Sequence, residues 1–125
     1  SDINLNYTLK IFKRSKKIGL VSAVNPRSRF GVLNISNNNN VISFDEKSKN
    51  TRTWINAGFF IFTKEIFKFI KTKNSIFERE PLYNLAKKKQ LIAHKHKGFW
   101  QCMDTLKDKI TLNKIYNSSN PPWKK

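Results

Sequence analysis

The run Trp54-Ile55-Asn56-Ala57-Gly58-Phe59-Phe60-Ile61-Phe62 leads directly into Thr63, and Ile66, Phe67 and Ile70 follow at helical spacing. Aromatic and β-branched side chains in series fit a pleated, half-buried surface, so residues 54–62 read as the strongest strand of the chain. Gly58 marks a point in that strand where backbone can approach something closely. Thr63 is a favourable N-cap for the helical face that comes next. A strand feeding a helix is the repeating unit of α/β folds.

The same alternation continues on both sides of this run. Upstream, Ile18-Gly19-Leu20-Val21-Ser22-Ala23-Val24 is a short apolar run of the kind buried in a sheet, and Asn25-Pro26 ends it. Phe30 to Ile35 reads as a second strand, Asn37 to Asn40 as a solvated turn, and Val41-Ile42-Ser43-Phe44 as the returning strand of a hairpin. Residues 45–53 are polar and loop-like. At the beginning of the chain, Ile3, Leu5, Leu9, Ile11 and Phe12 give a helical pattern that ends in the basic stretch Lys13 to Lys17. Downstream, Ser75 and Glu78 have capping-box spacing ahead of an apolar stripe at Leu82, Leu85 and Ala86, which ends in Lys87-Lys88-Lys89. Leu91-Ile92-Ala93 predicts a short strand, followed by His94-Lys95-His96. Gly98 to Met103 predicts a last extended run, and Leu106, Ile110, Leu112 and Ile115 stripe a final helix. The tail from Asn117 is turn-rich. The fold class expected is α/β.

Composition bounds the function. The 125 residues suit one ordinary domain, and 38% hydrophobic with 13% aromatic content is enough for a core. A single cysteine, Cys102, excludes a disulfide-stapled secreted scaffold. No apolar run approaches a membrane span, and Ser1-Asp2-Ile3-Asn4 does not open a signal peptide, so a cytoplasmic setting is expected, with no membrane partner. The first residue is Ser1 and a helical pattern begins at once, as expected if a Met has been removed or an upstream segment is missing. Lys and Arg number 25 against 8 Asp and Glu, a formal charge of +17, which raises polyanion or nucleic-acid binding as one reading. All but five of those basic residues are lysine, however, spread along the whole chain with many Asn and Ser. Phosphate-gripping proteins favour the bidentate arginine fork. The charge therefore reads mainly as a solvated surface, with no specific nucleic acid implied.

Gly-rich phosphate loops, Ser-His-Asp sets and paired-cysteine zinc spacings are all missing from the sequence. His94 and His96 share one side of a strand, which makes a metal pair conceivable, but no third ligand lies near in sequence. Cys102 among apolar neighbours reads as a small core residue. Asp104 closes an extended run just before a helix, at the strand-end position where α/β proteins place ligands. It could hold Mg²⁺, which takes one or two carboxylates and leaves its other positions to water and phosphate oxygens. It could equally cap the helix that follows. Glu46-Lys47 precedes the strongest strand; the lysine could meet a substrate phosphate, or the pair could be an exposed ion pair of little consequence.

Several strings occur together in a fixed order: Arg29-Phe30-Gly31, Phe44-Asp45-Glu46-Lys47, Trp54-Ile55-Asn56-Ala57-Gly58-Phe59-Phe60, Phe77-Glu78-Arg79-Glu80-Pro81-Leu82, the run Gly98 to Lys109 containing Phe99-Trp100-Gln101-Cys102-Met103-Asp104-Thr105, and Pro121-Pro122-Trp123-Lys124. The ordered set, which runs along the whole chain, resembles the C-terminal half of the glucose-1-phosphate cytidylyltransferases, within the sugar-phosphate nucleotidyltransferase family. The resemblance implies the C-terminal half of a Rossmann-like nucleotide-diphospho-sugar transferase fold with a mixed sheet. Residues 1–125 would be the sugar-phosphate side of a single domain whose N-terminal, nucleotide-binding half is absent. The implied reaction joins CTP and α-D-glucose 1-phosphate to give CDP-glucose and pyrophosphate, with Mg²⁺ held by two aspartates, in the service of cell-surface polysaccharide synthesis. By matching position, Asp104 would be one metal ligand, Lys47 would face the sugar phosphate, and Glu46 would accept hydrogen bonds from sugar hydroxyls. Asn56, Ala57 and Gly58 would line the sugar pocket.

The chain departs from the family pattern at Ser48 and Cys102, where proline is usual, and at Ala57 in a usual Gly-Gly. None of these removes a chemical group. The Gly-rich nucleotide loop, the lysine after it and the first metal aspartate would all lie upstream of Ser1, so no complete set of catalytic residues is expected in this half. Alone it is expected to be inactive, to need its N-terminal half, and to join a homo-oligomer when complete. The unmatched half is also expected to leave a sheet edge and apolar surface exposed.

Overall fold

The computed structural model describes residues 1–26, 32–45 and 53–124. Helix α1 spans Leu5–Ser15, strands β1 to β4 span Gly19–Val24, Val32–Ile35, Val41–Asp45 and Ile55–Phe62, helix α2 spans Glu80–Lys87, β5 spans Leu91–His96 and α3 spans Leu106–Tyr116. Helices alternating with strands make this an α/β fold. Its centre is a three-stranded mixed sheet in the order β4-β1-β5. Strand β1 runs antiparallel to β4 and parallel to β5, with Gly19 opposite Leu91 and Val24 opposite His96. The strands β2 and β3 form a separate antiparallel hairpin. Among the described residues β4 and β5 each keep one unpaired edge, and on the hairpin Leu33, Ile35, Val41, Ile42 and Phe44 are all exposed. The sequence-predicted residues Phe30 and Gly31 lie outside the described residues.

The core is small and centred on β1. Leu20, Ala23 and Val24 are buried there, with Phe12 from α1, Ala57 from β4, Leu85 from α2 and Ile66 from the short helical turn after β4. Asn4 caps α1, its side chain accepting from the Tyr7 N–H at 2.9 Å. The buried face of α1 differs from the expected apolar stripe: Leu5 and Leu9 are exposed, and Thr8 joins Phe12 inside. Thr8 can be buried because its hydroxyl meets both the Asn4 carbonyl (2.8 Å) and His94 Nδ1 (2.9 Å).

Four further expectations are corrected. The segment after Thr63 is a six-residue 3₁₀ helix, Lys64–Phe69, without a side-chain cap bond; Phe67 is exposed and Ile66 alone is buried, too small an anchor for a longer helix. The capping box at Ser75 and Glu78 does not form. Instead α2 starts at Glu80, next to Pro81, which suits a first turn because its φ is pre-set and its missing N–H has no helical partner to lose. Gly98 to Met103 is irregular rather than a strand, because Trp100 and Gln101 are held by side-chain bonds to other elements. Helix α3 leaves Leu106 and Ile110 exposed, and its buried residue is Asp108.

One irregularity shapes the rest of the molecule. Along β1 the pairing steps from Val21 to Ala23, while along β4 it jumps from Phe60 to Asn56. Two extra residues on β4 make a bulge, and Gly58 sits in it with φ of 83°. That left-handed conformation is strained for any side chain, and a Cβ there would meet nothing within 4 Å. The bulge thus presents bare backbone to open space.

Candidate functional site

The carboxyl ends of the parallel strands β1 and β5 open onto a hollow of about 290 Å³, lined by Val24, Pro26, Trp54, His96, Lys97 and Trp100 among others. In open α/β sheets ligands bind outside the carboxyl ends of the strands. Two indole rings give it apolar walls, and Lys95 Nζ stands 5.3 Å from the Trp54 ring centroid, adding positive charge at the rim. Trp100, in the hollow's lining, bonds to the β4 bulge and begins the segment that carries Asp104.

The bulge is built by hydrogen bonds of its own. Asn56 Oδ1 accepts from the Gly58 N–H (2.8 Å), and Asn56 Nδ2 donates to Glu78 Oε1 (3.0 Å). Both ends of the amide are thus engaged inside the protein, and Glu78 serves Asn56 rather than a helix cap. Ala57 is buried, and its carbonyl accepts from Trp100 Nε1 at 3.1 Å. Of the three residues expected to line a sugar pocket, Gly58 faces open space, whereas Asn56 and Ala57 shape the bulge that exposes it.

Asp104 lies in a tightly specified segment. Thr105 is the N-cap of α3 and forms a capping box with Asp108: the Thr105 hydroxyl accepts from the Asp108 N–H (3.1 Å), and Asp108 Oδ2 accepts from the Thr105 N–H (3.1 Å). Asp108 Oδ2 also accepts from the Thr105 hydroxyl (2.8 Å) and the Asp104 N–H (3.3 Å), and Oδ1 from Gln101 Nε2 (2.9 Å). Helix capping therefore falls to Thr105, and Asp108 is spent on structure. Asp104 keeps an exposed carboxylate with no hydrogen-bond or ion-pair partner among the described residues. Glu46 and Lys47 lie outside the described residues. Sequence reasoning missed Trp100, Glu78 and Asp108. Only the last left a legible signal, its capping-box spacing from Thr105.

His94 and His96 do share a side of β5, with ring centroids 6.3 Å apart. Each has a structural partner: His94 the Thr8 hydroxyl, and His96 the Asp2 carboxylate, 2.9 Å away. Among the described residues no three His, Cys, Asp or Glu side chains cluster as metal ligands. Burial, with a smaller contribution from neighbouring His96, lowers the His94 pKa from its usual 6.5. As pH falls below about 6.5 the unfolded chain therefore takes up this proton before the folded one does, and stability declines with acidification until folded His94 is also protonated. The expected result is a urea midpoint that drops as pH falls through about 6.5, and drops less in His94→Gln. An NMR titration placing His94 at or above 6.5 would contradict this.

A family model for nucleotidyl transferase matches residues 2–118. The chain is 37% identical over 124 residues to the glucose-1-phosphate cytidylyltransferase of Salmonella typhi, covering 99% of this chain and 48% of that protein. It is 33% identical over 125 residues to a Bacillus subtilis (strain 168) protein named as a probable glucose-1-phosphate cytidylyltransferase, again covering 99% and 48%. A solved structure of a Bacillus anthracis protein assigned as a glucose-1-phosphate thymidylyltransferase, in complex with a sucrose, superposes with a TM-score of 0.62 at 20% identity. The match covers 94% of this chain and 51% of that one. The chain belongs to the nucleotidyl transferase family. It spans about half the length of the curated relatives it matches. Among the described residues no helix is long and apolar enough to cross a membrane.

Proposed function

We propose that the chain forms the sugar-phosphate side of an enzyme that joins CTP and α-D-glucose 1-phosphate to give CDP-glucose and pyrophosphate. Names of the relatives at 37% and 33% identity support the choice of sugar and base. The observation that carries the reading is Asp104: an exposed carboxylate free of partners among the described residues, on a backbone held by Asp108, four residues after Trp100, which lines the hollow at the carboxyl ends of β1 and β5. A single such carboxylate fits Mg²⁺, which binds protein through one or two carboxylates and fills its other positions with water and phosphate oxygens. The bound ion would neutralise charge on the reacting phosphates.

In the reaction a phosphate oxygen of the sugar phosphate attacks the α-phosphorus of CTP, forming one P–O bond. The α–β bridging P–O bond breaks and its electron pair leaves on pyrophosphate. Such transfers depend on positioning and charge stabilisation more than on a strong base. Asp104 would hold the ion, Lys47 would face the sugar phosphate, and Glu46 would accept hydrogen bonds from sugar hydroxyls. The Gly58 bulge would let the sugar approach backbone. A segment equivalent to the N-terminal half of the relatives would supply the CTP contacts, and the complete protein would be a homo-oligomer.

Mixing this chain with the N-terminal half of the Salmonella typhi relative tests the proposal. CDP-glucose, assayed by chromatography, is expected from the mixture and not from the chain alone. No product from two folded halves, or a product made with another nucleoside triphosphate in preference to CTP, would overturn it.

A further inference from the structure

The metal-side segment and the sugar-side bulge are separated by 43 residues in sequence, yet one hydrogen bond joins them: Trp100 Nε1 to the Ala57 carbonyl, 3.1 Å. The bulge explains why that carbonyl needs a partner. Between Asn56 and Phe60 the β4 backbone loses its register with β1, and Ala57 is buried, so its carbonyl must be satisfied by a group from elsewhere. The donor is not a neighbouring strand but the side chain of a residue four positions ahead of Asp104.

The segment between them has little slack. Four residues of fully extended chain reach at most about 14 Å, so Trp100 sets an upper limit on the distance from the bulge to Asp104. The far end is fixed as well. Gln101 Nε2 donates to Asp108 Oδ1, and the backbone N–H groups of Asp104 and Thr105 donate to Asp108 Oδ2. Phe99, immediately before Trp100, packs on Trp123 with ring centroids 5.4 Å apart, and its carbonyl accepts from the Asp2 N–H. The segment is thus clamped at both ends, and the indole N–H is the clamp that faces the bulge.

We infer that Trp100 is a positioning residue: its N–H bond to Ala57 fixes the spacing between the Asp104 carboxylate and the backbone of the Asn56–Gly58 bulge. The inference rests on the reading of Asp104 as a metal ligand and adds how that ligand is registered against the sugar. A purely structural tryptophan would contribute packing alone. Trp100 has a further consequence, because two parts of one substrate complex depend on its donor, and misplacing a reacting group by about 1 Å can cost roughly 10²-fold in rate.

The experiment uses the 125-residue chain, ¹⁵N-labelled and mixed with the unlabelled N-terminal half of the Salmonella typhi relative, titrated with Mn²⁺ in the presence of glucose 1-phosphate, with paramagnetic broadening read at the amides of Thr105 and Gly58. Both amides are expected to broaden in the natural sequence, and neither in Asp104→Asn. In Trp100→Phe, Thr105 should broaden as before while the broadening at Gly58 changes measurably, because it varies as the inverse sixth power of the distance to the ion. If the phenylalanine variant fails to fold, Trp100 replaced by benzothienylalanine, which keeps the indole shape without the N–H, is read in the same way. Broadening at both amides unchanged from the natural sequence overturns the positioning role while the metal reading stands. Loss at both overturns it too, because Trp100 would then sustain the metal segment itself. No broadening at Thr105 in the natural sequence removes the metal reading, and this inference with it.

Discussion

Replacing Asp104 with asparagine is expected to lower the transferase rate of the reconstituted enzyme by on the order of 10²–10³-fold, the several kcal/mol that a metal contributes to stabilising transferring phosphates. Asparagine keeps the side-chain shape and leaves the Asp104 N–H on Asp108, so the capping box of α3 is undisturbed. Only the negative charge is removed. Because the side chain is exposed, thermal stability should change by no more than about 0.5 kcal/mol. Rate and stability must therefore separate in this variant. A restored rate unchanged by the substitution would show that Asp104 holds no metal, and parallel loss of rate and folding would show that its role is structural.

The second large effect concerns the core. Leu85→Ala is expected to destabilise the chain by about 2–5 kcal/mol, the usual range for a fully buried leucine truncated to alanine. Leu85 is completely inaccessible, and it and Pro81 are the buried residues of α2. Its Cδ2 lies 2.7 Å from where a Cβ on Gly19 would stand, so the leucine seats α2 on bare backbone at the start of β1. The surrounding backbone cannot easily collapse into the space, which puts the cost toward the upper end of the range. Natural domains are stable by only about 5–15 kcal/mol, so this one change could remove much of the total. Urea unfolding should show a lower midpoint with an unchanged slope. A shift under about 1 kcal/mol would mean that α2 is not held by this contact.

Much of the fold was legible because hydrophobic patterning is local. The runs at Gly19–Val24 and Ile55–Phe62 are strands whatever they pair with, and the Asn-rich turn between Ile35 and Val41 closes its hairpin. Failures came where a residue answered to a distant partner. Glu78 has capping-box spacing from Ser75, yet Asn56, 22 residues earlier, takes its carboxylate. Thr8 looks like a surface residue of α1 until His94, 86 residues away, gives it a reason to be buried. The site divides in the same way. Thr105 and Asp108 are three residues apart and their mutual capping could have been read from spacing, which would have released Asp104 from the capping role at once. The bond from Trp100 to Ala57 left no trace in either local pattern, because a strand bulge is set by pairing register and not by composition.

The position of β1 in the sheet also has a consequence in time. It is the middle strand, but it is the first of the three to be synthesised, and its partners come much later. Val24 pairs with His96, 72 residues further along. At a translation rate of roughly 5–20 residues per second, β1 waits about 4–14 s for that partner after it leaves the ribosome. Over that interval Leu20 and Val24, both buried in the finished sheet, have no parallel neighbour to cover them. Long-range pairing of this kind slows folding, and until β5 emerges the nascent polypeptide carries a sticky segment that a chaperone would be well placed to shield.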